Sequence, residues 1–182
     1  MPRFVVIASL TPLVAGDAFT LREWPLHLTV APTFVTPHDA ETLAAALRVV
    51  CAFHPPFDVV AGGRDGFGRA RDIPVTLIAP NAALTALHEQ LMTELAGVGV
   101  DFDDPDFTGP GYRPHVTVRH HTELASGTVI SIRHLALVDM APEGDTRERR
   151  VVWAHDLARR DSGAGPDASA GGSCREVSPG DW

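Results

Sequence analysis

Apolar residues recur along this chain with two periods, and the switches between them lay out the elements. Residues 3–10 are rich in Val, Ile and Phe and read as a first strand; residues 11–23, broken by Pro12 and Gly16, read as a loop. Residues 25–30 alternate apolar and polar and predict a second strand, stopped by Ala31-Pro32. Leu43, Leu47 and Val50 then carry the spacing of a buried helical stripe, with Thr36 as N-cap, Pro37 at the first helical position, Asp39 at the positive end and Pro55-Pro56 as the stop. Strands follow at 57–61 and 73–79, around a loop at 62–71 dense in Gly and Arg. Asn81 caps a second helix with Leu84, Leu87, Leu91 and Leu95 on one face and Gly97 and Gly99 near its end. An acidic loop at 101–111 leads into a strand at 112–118, and residues 128–139 and 150–156 read as the two final strands.

This order of strands and helices predicts an α+β protein. From residue 161 onward Gly, Ser, Ala, Asp and Pro dominate, too little apolar surface to offset the ordering of the chain. The expected organisation is one domain over 1–160, long enough to bury a substantial core, and a disordered tail over 161–182. No apolar run approaches the roughly 20 residues that span a bilayer, so no membrane association is expected. The first residues read as a strand and not as a secretory signal. Cys51 sits in the helical pattern and Cys174 in the tail, a pair not expected to bridge, which fits a reducing, cytoplasmic compartment.

Net charge changes the picture of partners. The chain carries −8, and all fifteen basic residues are Arg. An extended coat on nucleic acid needs clustered cations, so none is expected. A few local Arg still suffice to hold a small nucleotide or the end of an RNA. The cysteine pattern offers no thiolate zinc site, and neither a metal nor a cofactor is expected. The oligomeric state is open, with a monomer expected.

Candidate chemistry lies in two of the predicted strands. Leu26-His27-Leu28-Thr29-Val30 and Pro114-His115-Val116-Thr117-Val118 share one pattern, 88 positions apart. Side chains two apart on a strand point the same way, so each His shares a face with its Thr while the apolar residues pack on the other. Cleaving a phosphodiester needs a base for the nucleophile, an acid for the leaving oxygen and donors for the phosphoryl oxygens. Two imidazoles can supply the first two and two hydroxyls the third.

These residues resemble the 2H phosphoesterases, and within them the bacterial 2'-5' RNA ligase or cyclic phosphodiesterase branch. The resemblance is carried by Pro25-Leu26-His27-Leu28-Thr29-Val30 and by Gly111-Tyr112-Arg113-Pro114-His115-Val116-Thr117-Val118, and by the order of elements over 3–158. One His-x-Thr string is weak evidence, since any histidine in a strand could give it; two, the second preceded by Tyr-Arg-Pro, are considerably stronger. The resemblance implies a bilobal fold, two antiparallel β-sheet lobes with outer helices and a central cleft. It implies His27 and His115 as the catalytic pair, Thr29 and Thr117 as phosphate holders, and a basic residue after the second motif, where Arg119 stands. Members of the family open 2',3'-cyclic phosphates, cleave or join 2'-5' linkages, or hydrolyse cyclic nucleotides. The implied activity is a metal-independent phosphodiesterase on a small nucleotide or RNA terminus, with ligation as its reverse.

Other readings stand beside this one. The same site on a different substrate would hydrolyse cyclic nucleotide or oligonucleotide signals, and a cleft without turnover would be a binding module for AMP-like nucleotides. Tyr112 and Arg113, just before the second His, are candidate substrate contacts. Phe67 is a candidate for stacking on a base, with Arg64 or Arg69 reaching a phosphate, if the 62–71 loop is a flap and not a plain hairpin turn. Phe34 reads as core, with the base pocket as its alternative. His120 and His121 face opposite ways on a strand and do not suit one ion. His38, His54, His88, His134 and His155 show no ligand spacing and are expected at the surface or its boundary.

Overall fold

The computed structural model describes residues 1–118 and 124–157. Arg119, the His120-His121 pair, Cys174 and the 161–182 tail lie outside the described residues. The chain runs β1 (Arg3–Ser9), β2 (Ala18–Thr20), β3 (His27–Val35), α1 (Ala40–Phe53), β4 (Phe57–Phe67) and β5 (Ile73–Ile78). It continues with α2 (Ala82–Gly97), β6 (Asp101–Phe102), β7 (His115–Thr117), β8 (Val129–Ile132), β9 (His134–Asp139) and β10 (Glu148–Asp156). Every strand pair is antiparallel, along the path β2-β10-β9-β1-β3-β7-β5-β4-β8, with β6 beside β3. The two expected lobes are the two halves of this path, β2 to β3 and β7 to β8. They meet at β3 and β7, where one register pair, Leu28 with Val116, joins them.

Alternation along the strands divides the apolar residues between two faces. On β1, Phe4, Val6 and Ala8 face the main core, while Val5 and Ile7 face a smaller cluster with Trp24, Ala136, Val138 and Val151. The main core joins both lobes to both helices. It takes Leu43, Leu47 and Val50 from α1, Leu84, Leu87, Leu91 and Leu95 from α2, and Leu28, Val30, Val116 and Ile132 from the sheet. Phe34 belongs to it and is fully buried. Both helices therefore cover one face, and the face of the β3–β7 seam opposite this core carries the polar residues of the two His-x-Thr motifs.

The short strands β2 and β6 fall in segments read as loops, β7 is shorter than the 112–118 reading, and four further differences each have a local reason. β3 does not stop at Ala31-Pro32, because its pairing with β1 slips there: Thr29 faces Ile7 and Ala31 faces Val6, leaving Val30 as the extra residue of a bulge. A proline, lacking an N–H, is tolerated next to such a break in the ladder. β4 likewise runs through Gly62 and Gly63, where its register against β5 slips between Ala61 and Arg64. The residues at 128–139 form two strands, since the chain crosses at Arg133 from β8, paired with β4, to β9, paired with β1 and β10. The N-cap of α1 is Asp39, which accepts from the Thr42 N–H at 2.9 Å. The Thr36 hydroxyl instead accepts from the His38 N–H at 3.1 Å and shapes the turn before the helix.

Candidate active site

The pairing of Leu28 with Val116 places the two motifs about a local two-fold. In an antiparallel pair, residues flanking a register pair lie across from one another in reverse order. His27 is therefore opposite Thr117, and Thr29 opposite His115. Leu28 and Val116 point into the main core, so all four polar residues lie on the other face. There they line one cavity of about 320 Å³, together with Trp24, Pro32, Thr33, Phe67, Phe107, Tyr112, Arg113 and Met140.

The local symmetry extends beyond the motifs. The Nδ1–H of His27 donates to the Pro25 carbonyl at 2.7 Å, and that of His115 to the Arg113 carbonyl at 2.8 Å. Each bond reaches back two residues and sets the tautomer with its proton on Nδ1. Trp24 stacks on His27 with centroids 4.4 Å apart, and Phe67 leans on His115 at 4.3 Å. Behind each aromatic ring lies a guanidinium, Arg149 at 5.7 Å from Trp24 and Arg113 at 4.9 Å from Phe67. Arg149 is buried and donates to the carbonyls of Met140, Thr146 and Glu148, so it braces the Trp24 side. Arg113 is exposed and donates to Asp65 at 2.7 Å.

Electrostatics set the charge state of these groups. Burial, and the Arg113 cation beside it, hold the His115 imidazole below its ordinary range, against the pull of its carbonyl partner. Hydrogen bonds from Arg113, from the Gly66 N–H and from Arg71 bring the Asp65 carboxyl down to about 2, so it is ionised at any working pH. Asp65 thus anchors both Arg113 and the end of β4 that carries Phe67.

The structure brings together seven of the residues singled out from the sequence: His27, Thr29, Phe67, Tyr112, Arg113, His115 and Thr117. Phe67 reaches the cavity from the end of β4, not from a loop. Arg64 and Arg69 are exposed and outside the cavity lining. Among the described residues no cluster of three His, Cys, Asp or Glu is placed to hold a metal ion. No helix of the described residues is long and apolar enough to cross a membrane.

Sequence reasoning passed over Trp24, Asp65, Phe107 and Arg149, and it placed His88 at the surface or its boundary. His88 is the clearest correction. It is 1% exposed, not a surface residue. Its signal was present, since it follows Leu84 by four positions and precedes Leu91 by three on the apolar stripe of α2. It lines a second hollow of about 510 Å³, on the α2 side of Tyr112 and Arg113, but both its ring nitrogens are engaged by backbone groups.

Comparison with known proteins gives the family. The family model described as the 2'-5' RNA ligase superfamily matches residues 7–136. No curated protein matches the chain. Among solved structures, E. coli LigT complexed with 3'-AMP superposes with a TM-score of 0.55 at 17% identity, covering 87% of this chain and 100% of that one. The Thermus thermophilus protein TT0787 superposes at 0.56 with 14% identity, over 87% and 99%. A structure described as a phosphoesterase does so at 0.56 with 17% identity, over 87% and 99%. These likenesses share the fold, and the family match extends through both His-x-Thr strands. The chain therefore belongs to the 2'-5' RNA ligase superfamily and is a 2H-type phosphoesterase.

Proposed function

We propose that the protein hydrolyses phosphodiesters of small nucleotides or RNA termini, 2',3'-cyclic phosphates or 2'-5' linkages, by acid–base catalysis between His27 and His115. The observation that carries this reading is the local two-fold at Leu28 and Val116, which gives one cavity two imidazoles and two hydroxyls from opposite sides. Its volume, about 320 Å³, falls within the range of small-ligand sites, roughly 300–1,000 Å³. E. coli LigT has been crystallised with 3'-AMP, with ATP and with NADP+, which supports a small nucleotide as the ligand class here.

In the hydrolytic direction His115, kept neutral by burial and by Arg113, takes a proton from the attacking water at Nε2. The water oxygen bonds to phosphorus, the bond from phosphorus to the bridging sugar oxygen breaks, and that oxygen takes a proton from His27. Exchange with solvent restores both imidazoles. Thr29 and Thr117 donate to the non-bridging oxygens, whose charge grows in the transition state. Ligation uses the same pair on a 2',3'-cyclic phosphate: a sugar hydroxyl takes the place of water and loses its proton to His115 as its oxygen bonds to phosphorus, and the ring oxygen released takes a proton from His27. Phe67, Phe107 and Tyr112 offer the apolar surface on which a base rests, and Arg113 supplies the nearby cation.

Turnover of 2',3'-cyclic nucleotides, 2'-5'-linked dinucleotides and cyclic oligonucleotides in excess EDTA tests this, with His27→Ala and His115→Ala beside the wild type. The expected outcome is chelator-resistant cleavage, reduced in each variant by about 10²- to 10⁴-fold, the usual worth of a positioned acid or base. Full activity in either variant overturns the two-histidine mechanism. Cleavage only of cyclic oligonucleotides moves the assignment to cyclic signals, and nucleotide binding with no turnover moves it to a sensing module.

A further inference from the structure

The two halves of the site sit on different lobes, and the seam between them is thin. β7 has three residues and shares one register pair with β3. Catalysis across that seam needs both imidazoles held on one phosphorus, and a misplacement of about 1 Å costs on the order of 10²-fold in rate. Something besides one backbone pair must hold the lobes in register.

Two side chains do so, both reaching the bulge of β3. The Tyr112 hydroxyl donates to the Thr29 carbonyl at 2.9 Å, tying the segment before His115 to the residue that carries the opposing hydroxyl. The Nδ1–H of His88 donates to the next carbonyl, that of Val30, at 2.9 Å. Its Nε2 accepts from the Gly109 N–H at 3.0 Å, so one imidazole on α2 bridges β3 and the loop leading to β7. The two rings stack 3.8 Å apart and 6° from parallel. Val30 is the residue that the bulge leaves without a partner on β1, which gives the bridge its place on the strand.

We propose that His88 and Tyr112 are positioning residues that lock the two His-x-Thr strands into catalytic register, acting through backbone carbonyls and not by contact with the reacting atoms. The inference rests on the two-histidine reading. It assigns Tyr112, which also lines the cavity, a hydroxyl committed to the protein.

The test compares Tyr112→Phe, His88→Leu and His88→Gln with wild type, His27→Ala and His115→Ala, on whichever 2',3'-cyclic nucleotide the wild type turns over. Tyr112→Phe keeps the stacked ring and loses one hydrogen bond. His88→Leu loses both bridging bonds, and His88→Gln keeps an amide oxygen able to accept from Gly109. Expected are a fall in kcat of about tenfold for Tyr112→Phe and 10- to 100-fold for His88→Leu, KM within threefold of wild type, and partial recovery of kcat in His88→Gln. Should His88→Leu fail to fold, Tyr112→Phe and His88→Gln carry the test. A raised KM with unchanged kcat in Tyr112→Phe makes its hydroxyl a substrate contact and overturns the proposal, as does kcat within twofold of wild type in both Tyr112→Phe and His88→Gln. Absence of wild-type turnover, or full activity in His27→Ala or His115→Ala, overturns the two-histidine reading and the inference with it.

Discussion

At the scale of single residues, the pH response of the site is written in what surrounds His115. Burial is the main cause of its low imidazole pKa, Phe67 covers its ring at 4.3 Å, and the Arg113 cation adds repulsion. A base works once it has lost its proton, so the acid limb of the pH–rate profile lies below the ordinary imidazole range, about 6.5. Phe67→Ala admits water to the ring, relieves the cost of charging it and moves that limb upward. Arg113→Ala moves it the same way by removing the cation. The measurement is kcat/KM against pH for the three proteins, and a limb that stays in place in both variants removes His115 from the role of base. These partners also show where reading the sequence ends. The His-x-Thr pair is legible because period-two alternation fixes which side chains share a face. Asp65 and Arg149 are not, because their relation to the histidines is made by contacts between segments far apart in the chain; Trp24, three residues before His27, lies outside the strand whose alternation carries the signal. His88 lay within reach, on the apolar stripe of α2, yet its two backbone partners are 58 and 21 residues away.

At the scale of elements, the segment before β7 holds its shape through two glycines. Gly109 has φ +52°, a left-handed conformation costly for other residues. A Cβ added to Gly111 would overlap the Asp106 carbonyl oxygen, so the backbone there has no room for a side chain. Gly111→Ala forces the loop open at the point where it delivers Tyr112 and then His115. We expect a loss of stability of roughly 1–3 kcal/mol, the range for a single local steric or backbone defect. We also expect a fall in kcat as the two motifs lose register. Urea denaturation beside steady-state kinetics checks both, and unchanged values would mean the loop shifts at no cost. The sequence marked this glycine only as part of the Gly-Tyr-Arg-Pro-His string. Ala31-Pro32 and Gly62-Gly63 read there as breaks and are not. Pro and Gly weaken regular strands, and only the partner strand reveals that they mark bulges within longer ones. Helix existence and the apolar stripes were legible because burial at 3.6-residue spacing is a local property. The crossing at Arg133 was not, because both flanking segments are equally apolar.

At the scale of the whole molecule, His88 couples the fold to acidity. Burial holds its imidazole below the ordinary range, outweighing the Val30 hydrogen bond and the nearby Glu89, which both favour the proton. The Gly109 N–H pointing at Nε2 leaves no room for a second proton on the ring. His115 is shifted the same way. For a histidine whose folded pKa is depressed, the unfolded chain takes up a proton first as pH falls. Stability is therefore complete above about 6.5 and declines as pH drops from there toward the folded pKa, by at most about 1.4 kcal/mol per pH unit for each group. The carboxyls of Asp65 and Asp145, brought down to about 2 by arginines and backbone N–H groups, act in a separate, lower window. Their contribution is present above the ordinary carboxyl pKa of 3.8 and is lost as pH falls through about 2. Acid weakening between pH 7 and 5 thus belongs to the histidines. His88→Gln removes one of them: we expect a protein less stable than wild type at pH 7.5 but with a shallower decline toward pH 5. Urea midpoints at several pH values read the difference directly. A wild-type slope retained in His88→Gln would mean that the folded protein accepts the proton at His88, and that the bridge between β3 and the Gly109 loop survives without its neutral imidazole.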